Sequence, residues 1–311
     1  MTLTSTELVH DLAAMGWHAA VLPLARLNDL RAEIDGRRGE VAAAVLAVVD
    51  RNFDFAVPAA VADPHSLIVV AVPHACARIT VTVDGRAIAV PIPTTYCHHQ
   101  EIQGEVAAAL AAVLAPAGLT AALMRLPEKL LAVCAGVARY GRNNIAYVDG
   151  SGSFVELAVC VSDLVPRTDP WTGLRALERC ETCDACRRAC PSGAIGDDRF
   201  LLHGELCLTL HNESDEPFAS WIAAAWHRCL WGCLRCQRVC PEDMAYRDTV
   251  AETAAFDGRE TALLLEGVGH DLLAGEPGLR KKLGELGLLR YDDAFLGVTL
   301  ARNLKALLAA G

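Results

Sequence analysis

Seven cysteines in two dense runs constrain this chain more than any other feature. The first run is Cys180, Cys183, Cys186 and Cys190, closed by Pro191, with spacing C-x2-C-x2-C-x3-C-P. The second is Cys233, Cys236 and Cys240, closed by Pro241, with spacing C-x2-C-x3-C-P. A tight loop of closely spaced thiolates can wrap three corners of an iron–sulfur cube. The cysteine before proline starts a new segment and reaches a second cube, the bacterial ferredoxin arrangement. Two [4Fe–4S] clusters need eight thiolates, and the runs supply seven. The eighth is Cys207 or Cys229, and spacing alone does not separate them. A zinc ribbon also uses C-x2-C pairs, but this density is too high for one tetrahedral ion. A disulfide framework belongs to small domains in oxidising compartments.

The chain has 311 residues, enough for one large or two ordinary domains, and its 53% apolar content suffices for a buried core. Its formal net charge is −10, and bound cubes would make it more negative. Capture of nucleic-acid backbones requires a positive surface, so broad, sequence-independent nucleic-acid binding is not expected, while a local basic patch stays open. Arginines beside the cysteines, Arg179, Arg187, Arg188, Arg235 and Arg238 among them, read as screening for the clusters. Met1 to Glu7 has no basic n-region or apolar core, and Val106 to Met124 is broken by Pro116-Ala117-Gly118. No membrane span and a cytoplasmic location are expected.

Helical spacing predicts helices over Thr4 to Met15 and Glu40 to Val49, with residues 1–60 largely helical. Ser66 to Val72 reads as a strand buried on both faces. Arg78 to Val83 and Arg86 to Ile92 flank Asp84-Gly85 and predict a hairpin. Glu101 to Leu114 predicts a helix, Leu119 to Met124 a strand, and Pro127 to Ala138 a helix with proline in its first turn. Ile145 to Val148 and Phe154 to Val161 complete the strands. The alternation indicates a layered α/β domain over residues 1–165. A double-cluster domain follows over 166–248, then a helical segment over 249–311.

The cluster runs resemble those of the epoxyqueuosine reductase family, and more distantly the reductive dehalogenases. The resemblance is carried by Cys186-Arg187-Arg188-Ala189-Cys190-Pro191, by Cys207-Leu208-Thr209-Leu210 and by Gly232-Cys233-Leu234-Arg235-Cys236-Gln237-Arg238-Val239-Cys240-Pro241. It implies Cys207 as the eighth ligand. One cube would then take Cys180, Cys183, Cys186 and Cys240, the other Cys190, Cys207, Cys233 and Cys236. Upstream, Ala135-Gly136-Val137-Ala138-Arg139-Tyr140-Gly141-Arg142-Asn143-Asn144 looks like that family's corrin-contact segment, and Gly152-Ser153-Phe154 matches its G-S-W. The resemblance therefore implies a nitroreductase-like α/β domain holding cobalamin through Arg139, Tyr140, Gly141, Arg142, Asn143, Gly152 and Ser153. A ferredoxin-like domain with two [4Fe–4S] clusters would follow it.

The family's proton-donating aspartate has no counterpart, because no acidic residue lies between Glu105 and Glu128. The candidate replacements are Tyr96, His98 and Glu128. That loss, with the acidic net charge, means that the family's tRNA is not expected as the substrate. The expected protein is a corrinoid-dependent reductase, a paralogue acting on a small electrophilic molecule. Electrons would come from a low-potential ferredoxin- or flavodoxin-type donor. The alternatives are a non-catalytic two-cluster electron carrier without cobalamin, or a flavin-loaded domain. Cys76, Cys97, Cys134 and Cys160 lack metal-like spacing and are expected in cores.

Overall fold

The computed structural model describes residues 3–310; Met1 and Thr2, at the start of the segment read as lacking a leader, and Gly311 lie outside them. The chain gathers into two compact units, each discontinuous in sequence. The first comprises residues 1–74, 100–184 and 197–204, the second residues 75–99, 185–196 and 205–311. These units are not cut at residues 165 and 248.

The first unit is built on a four-stranded sheet in the order His18–Pro23, Ser66–Pro73, Val155–Ser162, Ala121–Leu123. Every pairing in it is antiparallel. The strand–helix alternation of the sequence therefore does not produce parallel crossovers, although the central strands are buried on both faces as their continuous apolar runs require. Side chains alternate along a strand. Leu67, Val69 and Ala71 enter one core with Leu131, Val133, Leu157 and Val159. Ile68, Val70 and Val72 enter another with Leu8, Leu12, Ile102, Val106, Leu110 and Leu114. The second core is covered by the helices Ser5–Ala14 and His99–Leu114. Thr4 caps the first of these in a reciprocal box with Glu7, which satisfies two otherwise orphaned backbone donors. Beyond Leu114 a short 3-10 turn ends at left-handed Gly118, so the alanine-rich stretch folds back as an edge strand. Among the described residues no helix is long and apolar enough to cross a membrane.

The early chain departs from its helical reading at His18–Pro23, an alanine-containing strand too short to show a period. The helix after Pro127 stops at Cys134 because Gly136, at φ 75°, takes the left-handed position that ends it.

The second unit carries the predicted hairpin, Cys76–Val83 with Arg86–Ile92, closing at Val83 opposite Arg86. Asp84 and Gly85 both have positive φ, the pairing that matches strand twist in a two-residue turn. The strand Val250–Phe256 adds in parallel to Cys76–Val83. That non-local pairing draws the hairpin out of the N-terminal half, and it places a strand at the start of a segment expected to be helical. Helices Gly258–Glu266, Pro277–Glu285 and Leu300–Ala310 close over it around Ile79, Phe256, Leu264, Leu283 and Leu304.

Candidate cluster and cofactor sites

In the second unit, two short helices pack on one another, Ala185–Ala189 carrying Cys186 and Arg235–Arg238 carrying Cys236. Each is flanked by backbone that turns the chain sharply. Gly193 follows Cys190 at φ 72°; Gly232 and Leu234 surround Cys233 at φ 71° and φ 60°. Pro241 opens a 3-10 turn directly after Cys240, as its fixed φ favours. Cys207 stands in extended backbone at the start of the helix Leu208–Glu213. Cys180 and Cys183 belong to the first unit, Cys186 and Cys240 to the second.

The thiols of the second unit lie close enough to feel each other. Burial pushes Cys207 up, the Thr209 N–H and hydroxyl oppose this, and neighbouring Cys190 adds to it. Burial pushes Cys233 up to about 11, with Arg235 N–H opposing and Cys207 and Cys190 adding. Half-buried and close together, Cys207 and Cys233 disfavour separate thiolates, and bound iron would relieve that penalty by sharing their charge. The donor set suits an iron–sulfur cube. Among the described residues no three Cys, His, Asp or Glu converge on a single ion; a cube takes its thiolates at separate corners.

Cys229 is placed differently. It is 1% exposed, its Sγ–H donates to the Cys233 carbonyl at 3.4 Å, and burial pushes it far above the ordinary thiol range. Cys76, Cys97, Cys134 and Cys160 are buried, with burial raising each to about 11 or 12.

A side-chain network missed by motif reading ties the two cysteine segments of this unit together. Asn212, on the Cys207 helix, donates to the Gly232 carbonyl at 2.7 Å, and Asn303 donates to the Asn212 carbonyl at 2.8 Å. Arg302 donates to the carbonyls of His211 (2.9 Å) and Glu216 and lies over the Phe218 ring. Asn212 and Asn303 are each 1% exposed. The Arg302-Asn303 pair near the C-terminus is the one sequence signal for this network. Asn212→Ala leaves the Gly232 carbonyl without its donor and is expected to cost about 1–3 kcal/mol. Chemical denaturation of the reconstituted protein checks it; a change below about 0.5 kcal/mol would remove the network from the account.

Of the proton-donor candidates, Tyr96 ends a 3-10 turn in the same unit. Its hydroxyl donates to the Glu213 carboxylate, at the far end of the Cys207 helix, and its ring meets Trp231 edge-on at 5.6 Å. Burial, then the Glu213 charge, pushes this phenol well above its ordinary range. His98 is half-buried with φ 62°. Glu128 is half-buried in the first turn of its helix in the first unit.

The residues expected to hold a corrin share one hairpin of the first unit, in which Arg139 pairs with Tyr147 and Tyr140 with Ala146. Their polar groups are already committed. Arg139 grips Asp149 with both terminal nitrogens, at 3.2 and 2.8 Å. Tyr140 is buried edge-on to Phe200. Asn143, 2% exposed, donates to the Tyr147 hydroxyl at 3.0 Å. A Cβ on Gly141 would stand 2.5 Å from the Asn143 amide oxygen and 2.5 Å from the Tyr147 ring. Gly152 returns the chain in a bridge with Val148, and Ser153 is buried. Arg142 turns toward the Cys180 loop. These side chains brace the hairpin on which the expected corrin contacts lie.

Residues 179–243 match the 4Fe-4S double cluster binding domain family, so the fold and the cysteine loops define a two-cluster iron–sulfur protein. An epoxyqueuosine reductase of Cyclobacterium marinum is 34% identical over 115 residues, covering 37% of this chain and 36% of that one. This alignment spans about a third of the curated relative's length. The epoxyqueuosine reductase structure from Bacillus subtilis superposes with TM-score 0.64 at 16% identity, over 98% of this chain and 81% of that one. An epoxyqueuosine reductase solved with a tRNA-Tyr epoxyqueuosine-modified stem loop gives TM-score 0.54 at 17% identity, over 79% and 65%. The chain is thus distantly similar to epoxyqueuosine reductases, in sequence over about a third of its length and in fold over nearly all of it.

Proposed function

We propose that this chain is an iron–sulfur reductase with two [4Fe–4S] cubes. Cys180, Cys183, Cys186 and Cys240 would hold one, and Cys190, Cys207, Cys233 and Cys236 the other. The observation that carries the reading is the placement of half-buried Cys190, Cys207 and Cys233 within charge range of each other, inside the segment matching a double-cluster domain. The cubes would supply one-electron transfer from a low-potential ferredoxin- or flavodoxin-type donor in the cytoplasm. The chain's own residues exclude water from the sulfurs, donate N–H bonds to them and fix their spacing, the variables that set cluster potential. We read the first unit as nitroreductase-like and the cysteine loops as ferredoxin-like.

A corrinoid, where bound, supplies strongly nucleophilic reductive chemistry suited to an electrophilic substrate. Arg139, Tyr140, Gly141, Arg142, Asn143, Gly152 and Ser153 are the residues that would hold it. The bonds that Arg139 and Asn143 already make within the chain favour a second reading, a two-cluster electron carrier. The substrate of the reductase reading is a small electrophile, favoured by the net charge of −10 and by the absence of any acid from 106 to 127. The tRNA stem loop bound by one relative is the competing substrate.

Anaerobic reconstitution with cobalamin and FMN on offer tests the scheme. About eight iron and eight sulfide per chain are expected. Stoichiometric cobalt supports the reductase, whereas reversible cluster reduction with neither cofactor bound supports the carrier. Zinc in place of iron overturns both. Retention of a tRNA stem loop that survives moderate salt would replace the small electrophile by tRNA.

A further inference from the structure

Arg142 makes three hydrogen bonds to the first cysteine loop, all within the first unit. Its backbone N–H donates to Cys180 Sγ at 3.4 Å. Its guanidinium Nε donates to the Cys183 carbonyl at 3.3 Å, and a terminal nitrogen donates to the Cys180 carbonyl. One side chain thus closes over both cysteines that the first unit contributes to the runs.

The backbone on either side is built to put it there. Tyr140 N–H donates to the Arg175 carbonyl at 2.8 Å and Leu177 N–H to the Tyr140 carbonyl at 2.9 Å, so residues 139–142 run alongside the segment leading into Cys180. A turn then fixes Arg142 from behind. Gly141 N–H reaches the Ile145 carbonyl and Asn144 N–H the Gly141 carbonyl, both at 2.9 Å. Asn144, at φ 53°, is pinned by a bond to the Phe200 carbonyl at 3.0 Å and one from Leu202 N–H at 2.6 Å.

The backbone N–H bond to Cys180 Sγ withdraws electron density from that sulfur and is kept by any substitution at 142. The positive guanidinium held on the Cys180 and Cys183 carbonyls favours the more negative, reduced cluster, and it is this part that Arg142→Ala removes. We infer that Arg142 is a positioning residue that raises the reduction potential of the cube bound through Cys180 and Cys183. The inference rests on the reading of these cysteines as ligands. The fork geometry matters as well as the charge, since an ammonium is a point donor that does not reproduce a planar two-carbonyl bridge.

The test is a redox titration, followed by electron paramagnetic resonance, of the full chain reconstituted anaerobically. Arg142→Ala is expected to move one of the two reduction steps to lower potential and leave the other in place. Arg142→Lys should give a smaller shift in the same step. If the wild type titrates as a single unresolved step, Arg142→Ala should split it. If Arg142→Ala loses one cube, Arg142→Lys carries the test: a retained cube with its step lowered supports the inference, and a retained cube with its step unmoved overturns it. Arg125→Ala, which removes a guanidinium of the same unit bonded to the Arg51 carbonyl at 2.8 Å, should leave both steps unchanged. Unchanged titrations in both Arg142 variants, equal movement of both steps, or an equal shift in Arg125→Ala would overturn the inference. A wild type holding fewer than about eight irons would instead overturn the ligand reading itself.

Discussion

Cys207→Ala lowers the iron of the reconstituted chain from about eight atoms to about four, and Cys229→Ala leaves it near eight. Spacing does not distinguish these two cysteines, but their surroundings do. Cys207 begins a helix in extended backbone, its sulfur meets the Thr209 N–H and hydroxyl, and its charge is felt by Cys190 and Cys233. Donors already aimed at the sulfur favour a thiolate there, which is the form a cube binds. The Cys229 sulfur is 1% exposed and spends its proton on the Cys233 carbonyl. It holds the loop as a neutral thiol, and alanine there removes a weak bond and leaves a small void. Iron and sulfide analysis with the spectrum of the reduced protein reads the result. Four irons in Cys229→Ala and eight in Cys207→Ala would move the eighth ligand to Cys229.

Local signals survive into the structure where the physics is local. The Asp84-Gly85 turn, the Ser66–Pro73 strand and the His99–Leu114 helix are each specified within a few residues, by positive-φ tolerance, by a continuous apolar run from Leu67 to Val72 and by a four-residue apolar step. Pairing partners are not local. Nothing near Val250 announces that it joins Cys76–Val83 in parallel, and nothing near Ser66 announces that its neighbours all run antiparallel. The cysteine loops are legible because ligand spacing is a sequence quantity. Their supports are not, because Asn212, Asn303 and Arg142 are ordinary polar residues until the backbone brings carbonyls to them. The same limit explains residues 139–144. Motif resemblance implies a cofactor contact there, and no motif shows that the same residues bond Asp149 on the surface, Tyr147 and the Cys180 loop.

Gly232→Ala should disable the second cysteine run without touching a thiol. Gly232 holds φ 71°, where a side-chain-bearing residue costs about 1–2 kcal/mol. Its Cβ would lie 2.8 Å from both Pro93 Cγ and the Tyr96 ring. That ring cannot yield cheaply, because its hydroxyl is bonded to Glu213 and its edge abuts Trp231, itself 1% exposed. Overpacking of this kind adds about 1–3 kcal/mol. The displaced chain also carries the carbonyl that Asn212 grips, so the strain reaches both the Cys207 helix and Cys233. Gly193→Ala supplies the comparison, having φ 72° but nothing within 4 Å of its Cβ. It bears only the backbone cost and should keep both cubes, while Gly232→Ala loses iron and unfolds at clearly lower denaturant. Equal stability and equal iron in the two variants would mean that backbone conformation alone makes glycine necessary before Cys233, and that the Tyr96 contact is incidental.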